Sequence, residues 1–268
     1  MVIAMFGGTG RLGSQIRELL LSSRVEVVNI PREELDLSTK LDCRDVRKVL
    51  DPIGPDVVVN CAGITDVNLC QRDSGASYNV NDAYPYLMAK WCKCSDVRFV
   101  HFSSNYIFGT EGPHSSSEDI TEVGYNENFY GWHKLGADCC IEDIGGNYLI
   151  IRTACLYGGS GKTPTFDEKI LSRAKNGEDL EIVDPMWTNP TYVPGLAEAA
   201  AALITSDRTG TIHVCGPEMT YLDLARRLLD YNGYQTTRIL AVESIPNGIS
   251  RPSVRLVPDV EIQNQFTA

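Results

Sequence analysis

Residues 1 to 13 read MVIAMFGGTGRLG, a short apolar run that ends in Gly7-Gly8-Thr9-Gly10-Arg11-Leu12-Gly13. Val2 to Phe6 has the length of a buried parallel strand, and Leu12, Gln15, Ile16, Leu19 and Leu20 then recur at helical spacing. The glycines therefore fall at a strand-to-helix turn, the context in which this spacing holds a dinucleotide pyrophosphate. Gly7 permits the tight turn, Gly10 lets backbone N–H groups approach a phosphate, and Gly13 lets the helix pack on the sheet with its positive N-terminus facing the anion. An ordinary Gly-rich turn is the competing reading.

Working outward, Val25 to Asn29 reads as a second strand, Arg44 to Leu50 as a helix, Asp56 to Cys61 as a strand and Tyr84 to Lys93 as a helix. Val97 to Ser103 follows as a strand, Tyr130 to Ile144 as a helix and Tyr148 to Thr153 as a strand. Such alternation demands a parallel sheet with helices on both faces. Beyond Arg152 the rhythm changes, with a Gly-rich loop at Gly158-Gly159-Ser160-Gly161, helices over Phe166 to Lys175, Leu196 to Thr205 and Tyr221 to Tyr231, and strands over Leu180 to Val183 and Thr211 to Val214. The expected architecture is α/β: a doubly wound Rossmann sheet over residues 1–154 and a smaller C-terminal α/β substrate lobe over 155–268, with a return of the chain to the Rossmann sheet as an option. The smaller lobe should close over the carboxyl ends of the strands, where open α/β sheets bind ligands.

With 268 residues, 43% of them hydrophobic, the chain can bury a full core. No stretch approaches the roughly 18 apolar residues of a membrane span, and Met1 opens a core strand rather than a signal peptide. The cytoplasm is the expected compartment. A net charge of −11 argues against a nucleic-acid binder that tracks phosphates. Nine cysteines without paired CxxC spacing, and four scattered histidines, predict reduced thiols and no metal site.

The chemistry concentrates in Tyr130-Gly-Trp-His-Lys134, whose i,i+4 spacing puts a phenol and an ammonium on one face of one helix. A second YxxxK, Tyr86 and Lys90, reads as helix packing, because only the first follows Ser103-Ser104 at the end of a strand. That strand end delivers a hydroxyl to the sheet edge where a nicotinamide would lie. A ketone reduced by hydride leaves an alkoxide that needs a proton, and a phenol is a reluctant donor. An ammonium about 5 Å away, at an effective dielectric near 20, favours phenolate by about 3 kcal/mol, or roughly two pKa units. Ser104 would hold the carbonyl oxygen on the phenol.

At this point the chain resembles the extended short-chain dehydrogenases and, within them, the dTDP-4-dehydrorhamnose reductase family. Besides GGTGRLG, the residues that carry the likeness are Arg32-Glu-Glu-Leu-Asp36-Leu37, Pro55-Asp-Val-Val-Val-Asn60-Cys61-Ala62-Gly63, Phe102-Ser-Ser104-Asn105-Tyr106-Ile-Phe108, Tyr130-Gly-Trp-His-Lys134, Arg152-Thr-Ala-Cys155-Leu-Tyr157-Gly158, Asn189-Pro-Thr191-Tyr192 and Arg251-Pro252. The resemblance implies NADPH-dependent reduction of the 4-keto group of a nucleoside-diphosphate 6-deoxyhexose, with Ser104, Tyr130 and Lys134 as the triad. It implies a cofactor site at Gly7, Thr9, Gly10, Arg11, Leu12, Gly13, Arg32, Asp36, Leu37, Cys61, Ala62 and Gly63 with Tyr130 and Lys134. It places Ser104, Asn105, Tyr106, Tyr130, Cys155, Asn189, Thr191 and Arg251 toward the nucleotide sugar. A helix-mediated homodimer is the family-level expectation.

The departures are specific. The family usually shows an acidic residue where Asn105 and Gln71 stand and a tryptophan where Cys155 stands, which alters the base and sugar contacts. Related bifunctional epimerase-reductases carry a cysteine where Tyr106 stands, which favours a reductase without epimerase chemistry. The second strand ends at Asn29 rather than an acidic residue, and Arg32 follows. This favours NADPH over NADH, with Arg11 as a second positive group and Glu33 and Glu34 opposing. The rival readings are a bifunctional 3,5-epimerase/4-reductase, a reductase of a non-nucleotide ketone, and a non-catalytic NADP-binding regulatory subunit. Asn189-Pro-Thr191-Tyr192 also reads as a plain turn before a helix.

Overall fold

The computed structural model describes residues 1–118, 128–244 and 251–266. In chain order, β1 (Val2–Phe6), α1 (Arg11–Ser22), β2 (Glu26–Ile30), α2 (Cys43–Ile53) and β3 (Val57–Asn60) build the first half of a sheet. After β3 the chain forms α3 (Val67–Arg72), α4 (Ser74–Tyr78), a π-helical segment Asn79–Ala83, and α5 (Tyr84–Ser95). Next come β4 (Arg98–Ser104), a 3-10 turn Asn105–Ile107, α6 (Phe129–Ile144), β5 (Tyr148–Thr153) and β6 (Leu156–Tyr157). The remainder is α7 (Phe166–Lys175), β7 (Leu180–Val183), β8 (Trp187–Thr188), β9 (Thr191–Tyr192), α8 (Val193–Ile204), β10 (Gly210–Cys215), β11 (Met219–Thr220), α9 (Tyr221–Tyr231), β12 (Ile239–Val242) and β13 (Val260–Glu261).

Seven strands form one parallel sheet in the order β13-β10-β5-β4-β3-β1-β2. The chain leaves β1 to one side for β2 and to the other for β3, so the switch point lies beside the glycine turn. Strand residues alternate between two cores, which is why β1 and β3 read as unbroken apolar runs. Ala4, Phe6 and Val58 pack with Val46 and Leu50 of α2, Met88 and Cys92 of α5 and Ile141 of α6. Ile3, Met5, Val57 and Val59 pack on the other face with Ile16 and Leu20 of α1 and Leu196, Ala197 and Ala200 of α8.

A smaller layer holds β7 and β12 as a parallel pair, β8 with β11, and β6 with β9. There α7 and α9 close a core of Ile170, Ala174, Leu180, Ile182, Leu222, Ala225 and Leu229. The chain beyond residue 154 returns to the large sheet. Gly210–Cys215 pairs in parallel with Tyr148–Thr153, and Val260 and Glu261 extend the same sheet, so the segment beyond 154 crosses between the two layers more than once. The reason is burial: β5 and α1 each need a partner that only β10 and α8 supply. Among the described residues no helix is long and apolar enough to cross a membrane, and no group of His, Cys, Asp and Glu side chains could hold a metal ion.

Candidate active site

The glycine turn has the shape a dinucleotide requires. Gly7 has φ +75°, and a Cβ there would stand 2.5 Å from the Ala62 nitrogen, while one on Gly13 would stand 2.3 Å from the Gly7 carbonyl oxygen. Only glycine fits either place. Gly10 caps α1 without a side-chain acceptor, so the first N–H groups of that helix are left for an anion. The residues present therefore fit NADPH: the Gly7–Gly13 turn would hold the pyrophosphate, and the Cys61-Ala62-Gly63 loop flanks it. That loop is fixed from below, since Asn60 Oδ1 accepts from the Ala62 N–H at 3.1 Å.

Other expected cofactor residues behave differently. Arg11 turns its guanidinium away from the turn, donating to the carbonyls of Gly158, Gly159 and Thr163 and pairing with Glu168 at 2.7 Å. Its two terminal nitrogens are engaged in these contacts. Arg32 is exposed and paired with Asp36 at 3.1 Å. Asp36 also accepts from the Ser38 N–H and hydroxyl, and these bonds, with Arg32, hold its carboxyl down at about 2. Leu12 and Leu37 send their side chains into the two cores, which leaves only their backbone to a ligand.

The triad converges at the carboxyl end of β4. Ser104 ends that strand, buried, and its Oγ accepts from the Tyr106 N–H at 3.2 Å. Helix α6 starts at an Asn128 cap whose Oδ1 accepts from the Gly131 N–H at 2.8 Å, and its first turns present Tyr130 and Lys134. Burial raises the Tyr130 phenol above its ordinary range, and a hydrogen bond with Ser104 lowers it in part. Lys134 donates from Nζ to the Phe102 carbonyl at 2.8 Å, and burial pushes it down to about 8. The expectation that the ammonium draws the phenol toward neutrality does not hold here, because desolvation raises the phenol and the neighbouring Cys70, Tyr106 and Asp138 raise it further. The phenol stays protonated, which suits a proton donor.

Around the triad, Asn105 is buried with its Oδ1 3.5 Å from Ser104 Oγ. Tyr106 meets Tyr130 edge to face at 5.8 Å. Burial lifts the Tyr106 phenol to about 12, with the exposed Arg251 opposing the rise. Cys155 adopts φ +35°, uncommon for a residue with a side chain, and hydrogen-bonds Tyr221. Asn189 and Thr191 are not open to a ligand. The Asn189 amide donates to the carbonyls of Gly216 and Leu256 and accepts from the Leu256 N–H, and Thr191 Oγ1 donates to the Asn189 carbonyl and accepts from Gly216. Both are fully buried, so they staple the turn before α8 to the end of β10 and to residues 254–256. The plain-turn reading is the one the geometry favours.

Sequence reasoning missed several groups. Asn81, on the π-helical segment, clamps the loop after β3 by accepting from the Ile64 N–H and donating to the Ile64 carbonyl. Cys70 packs on Tyr130. Asp138, one turn beyond Lys134, is buried and paired with Arg152 of β5 at 2.9 Å. Tyr221 hydrogen-bonds Tyr106 as well as Cys155. The i,i+4 relation of Lys134 to Asp138 was the one visible signal; the rest depend on contacts distant in the chain.

A family model described as "RmlD substrate binding domain" matches residues 1–267. A reductase of Streptomyces niveus, named dTDP-4-keto-6-deoxy-D-glucose reductase, is 31% identical over 252 residues, 92% of this chain and 84% of its own. The solved structure of a hypothetical dTDP-4-dehydrorhamnose reductase from Sulfolobus tokodaii is 26% identical, with a TM-score of 0.80 over 96% of this chain and 92% of that one. A dTDP-4-dehydrorhamnose reductase of Bacillus anthracis, solved in complex with NADP, shares the fold at a TM-score of 0.83, with 23% identity over 95% of this chain and 89% of its own.

Proposed function

We propose, from the premise that this chain belongs to the RmlD substrate binding domain family, that it is an NADPH-dependent oxidoreductase that reduces the 4-keto group of a dTDP-linked 6-deoxyhexose. The observation that carries the reading is the meeting of Ser104, Tyr130 and Lys134 at the carboxyl end of β4, in a chain 31% identical to a reductase of such a sugar. NADPH supplies the hydride when bound. Ser104 holds the sugar's carbonyl oxygen by its hydroxyl, and Tyr130, protonated, gives that oxygen the proton it needs as it gains charge. Lys134 carries positive charge on the same side and is anchored by the Phe102 carbonyl. Tyr106, Cys155 and Arg251 form the wall the sugar nucleotide meets. Asn105 and Asp36 steady the two ends of the site, and Arg32 takes the 2′-phosphate once released from Asp36. We place the enzyme in the cytoplasm, as a homodimer.

The test is oxidation of NADPH, read as loss of its absorbance, on adding dTDP-4-keto-6-deoxyglucose with and without a separate 3,5-epimerase. Turnover in either arm with a 4-hydroxy product supports the reading; an epimerised product without the added enzyme points to a bifunctional protein. Silence in both arms, with NADPH bound, points to a regulatory subunit. Tyr130→Phe should lose about 10²- to 10⁴-fold in kcat and keep its NADPH affinity, since the phenol serves proton transfer. Turnover retained in that variant would sink the assignment.

A further inference from the structure

We propose that Arg11 is a positioning residue that latches the substrate layer onto the cofactor turn, and that the Gly158-Gly159-Ser160-Gly161 loop is the socket into which it docks. Arg11 is the first residue of α1, and its side chain is only 10% exposed. One guanidinium nitrogen donates to the carbonyls of Gly158 and Gly159 at 3.0 and 2.8 Å. The other donates to Thr163 at 3.0 Å and pairs with Glu168 at 2.7 Å. The same Glu168 oxygen accepts from the Thr165 N–H and hydroxyl, closing the capping box of α7. One carboxylate oxygen thus ties the start of α7 to the start of α1.

The loop is shaped for this contact. A Cβ on Gly161 would stand 3.0 Å from both Cβ and Nε of Arg11. Gly159, at φ +65°, leaves 2.5 Å between such an atom and Gln15 Nε2, and Gly158, at φ +72°, leaves 2.8 Å to the Tyr192 ring. The Gly158 N–H also donates to Asp167 in the first turn of α7, at 3.0 Å. A Gly-rich stretch after a strand otherwise invites a second phosphate loop; here its carbonyls, not its N–H groups, face the cation.

The latch reaches the chemistry through α7. Phe166, its first residue, meets Tyr221 edge to face at 4.9 Å, and Tyr221 hydrogen-bonds Tyr106, which packs on Tyr130. Loosening Arg11 therefore disturbs the wall facing the sugar while leaving the glycine turn intact. The words sugar and cofactor rest on the function proposed above; the latch itself rests only on the contacts.

The experiment uses the full chain with Arg11→Gln, Glu168→Gln, Arg11→Lys and the Gln/Gln double variant. Amide hydrogen exchange over residues 158–168 should speed up in both single glutamine variants, with the double variant adding little, as expected of two groups in one contact. KM for the nucleotide sugar should rise about tenfold in both, with NADPH Kd unchanged within about twofold, as for misplacement of a binding wall. Arg11→Lys should fall between, keeping the pair with Glu168 and losing the forked contact to the carbonyls. Unchanged exchange over 158–168 in Arg11→Gln would overturn the latch. A large loss of NADPH affinity with the sugar KM untouched would overturn it too, making Arg11 a phosphate ligand. If the wild-type chain turns over no sugar, the functional reading fails while the exchange arm still decides the latch.

Discussion

Lys134 and Tyr130 sit within one turn of each other, yet burial acts on them in opposite senses: it favours the neutral amine and the neutral phenol alike. Burial pushes Lys134 down to about 8 in the folded chain, from an ordinary value of 10.5. Below about 8 it is charged in both states. Between about 8 and 10.5 the unfolded chain binds the extra proton, so this residue's contribution to stability rises with pH through that window. Activity should run the other way, because the proposed mechanism uses the ammonium. Turnover should fall as pH rises through about 8, and in Lys134→Arg that limb should vanish, leaving a flat profile up to the range where the phenol ionises. A pH–rate profile of both proteins checks it; a limb that persists in Lys134→Arg belongs to Tyr130. Asn189 makes the opposite kind of prediction. Its buried amide satisfies two carbonyls and one N–H, so Asn189→Ala should cost about 3 kcal/mol in urea unfolding, with little change in KM.

Helix α6 is the element on which the proposed chemistry stands, and two devices hold it. Asn128 caps its first turn, and near its middle Asp138 pairs with Arg152 of β5, both side chains 2% exposed or less. Such a pair adds little net stability when intact, but losing one member strands a buried charge. Asp138→Asn should therefore destabilise the fold by about 3 to 5 kcal/mol, and Asp138→Leu with Arg152→Met should recover much of that loss; chemical denaturation of the single and double variants measures both. The YxxxK spacing that marked α6 in the sequence was readable because one helix supplies both members, as was the 3.6-residue repeat of α9. By contrast α3, α4 and the π-helical segment that follows them carry no strong period, since partners such as Tyr130 and His133 lie far along the chain.

Across the whole molecule, the sheet is closed by strands from the far end of the chain. β10 pairs with β5, and α8 covers α1 and the inner face of β1. Residues 1–154 alone would expose Ile151, Leu149, Val100 and the α1 face that α8 buries. That fragment should fail to fold, and the full chain should unfold in one cooperative transition; circular dichroism of fragment and full chain decides this, and a folded, soluble fragment would show two independent domains.

By itself the sequence determined the α/β alternation, the glycine turn, the spacing of Tyr130 and Lys134 on one helix and the family, because each is carried by motifs that are local in the chain. Tertiary structure decided which polar groups remain for ligands. Asn189 looks like a binding residue until the carbonyls of Gly216 and Leu256 absorb its amide, Thr191 until the Asn189 carbonyl and the Gly216 N–H take its hydroxyl, and Arg11 looks like a phosphate ligand until Glu168 and the 158–163 loop take its terminal nitrogens. A side chain's donors and acceptors can be counted from its type, but their partners lie up to 157 residues away, and only packing brings them within hydrogen-bonding distance.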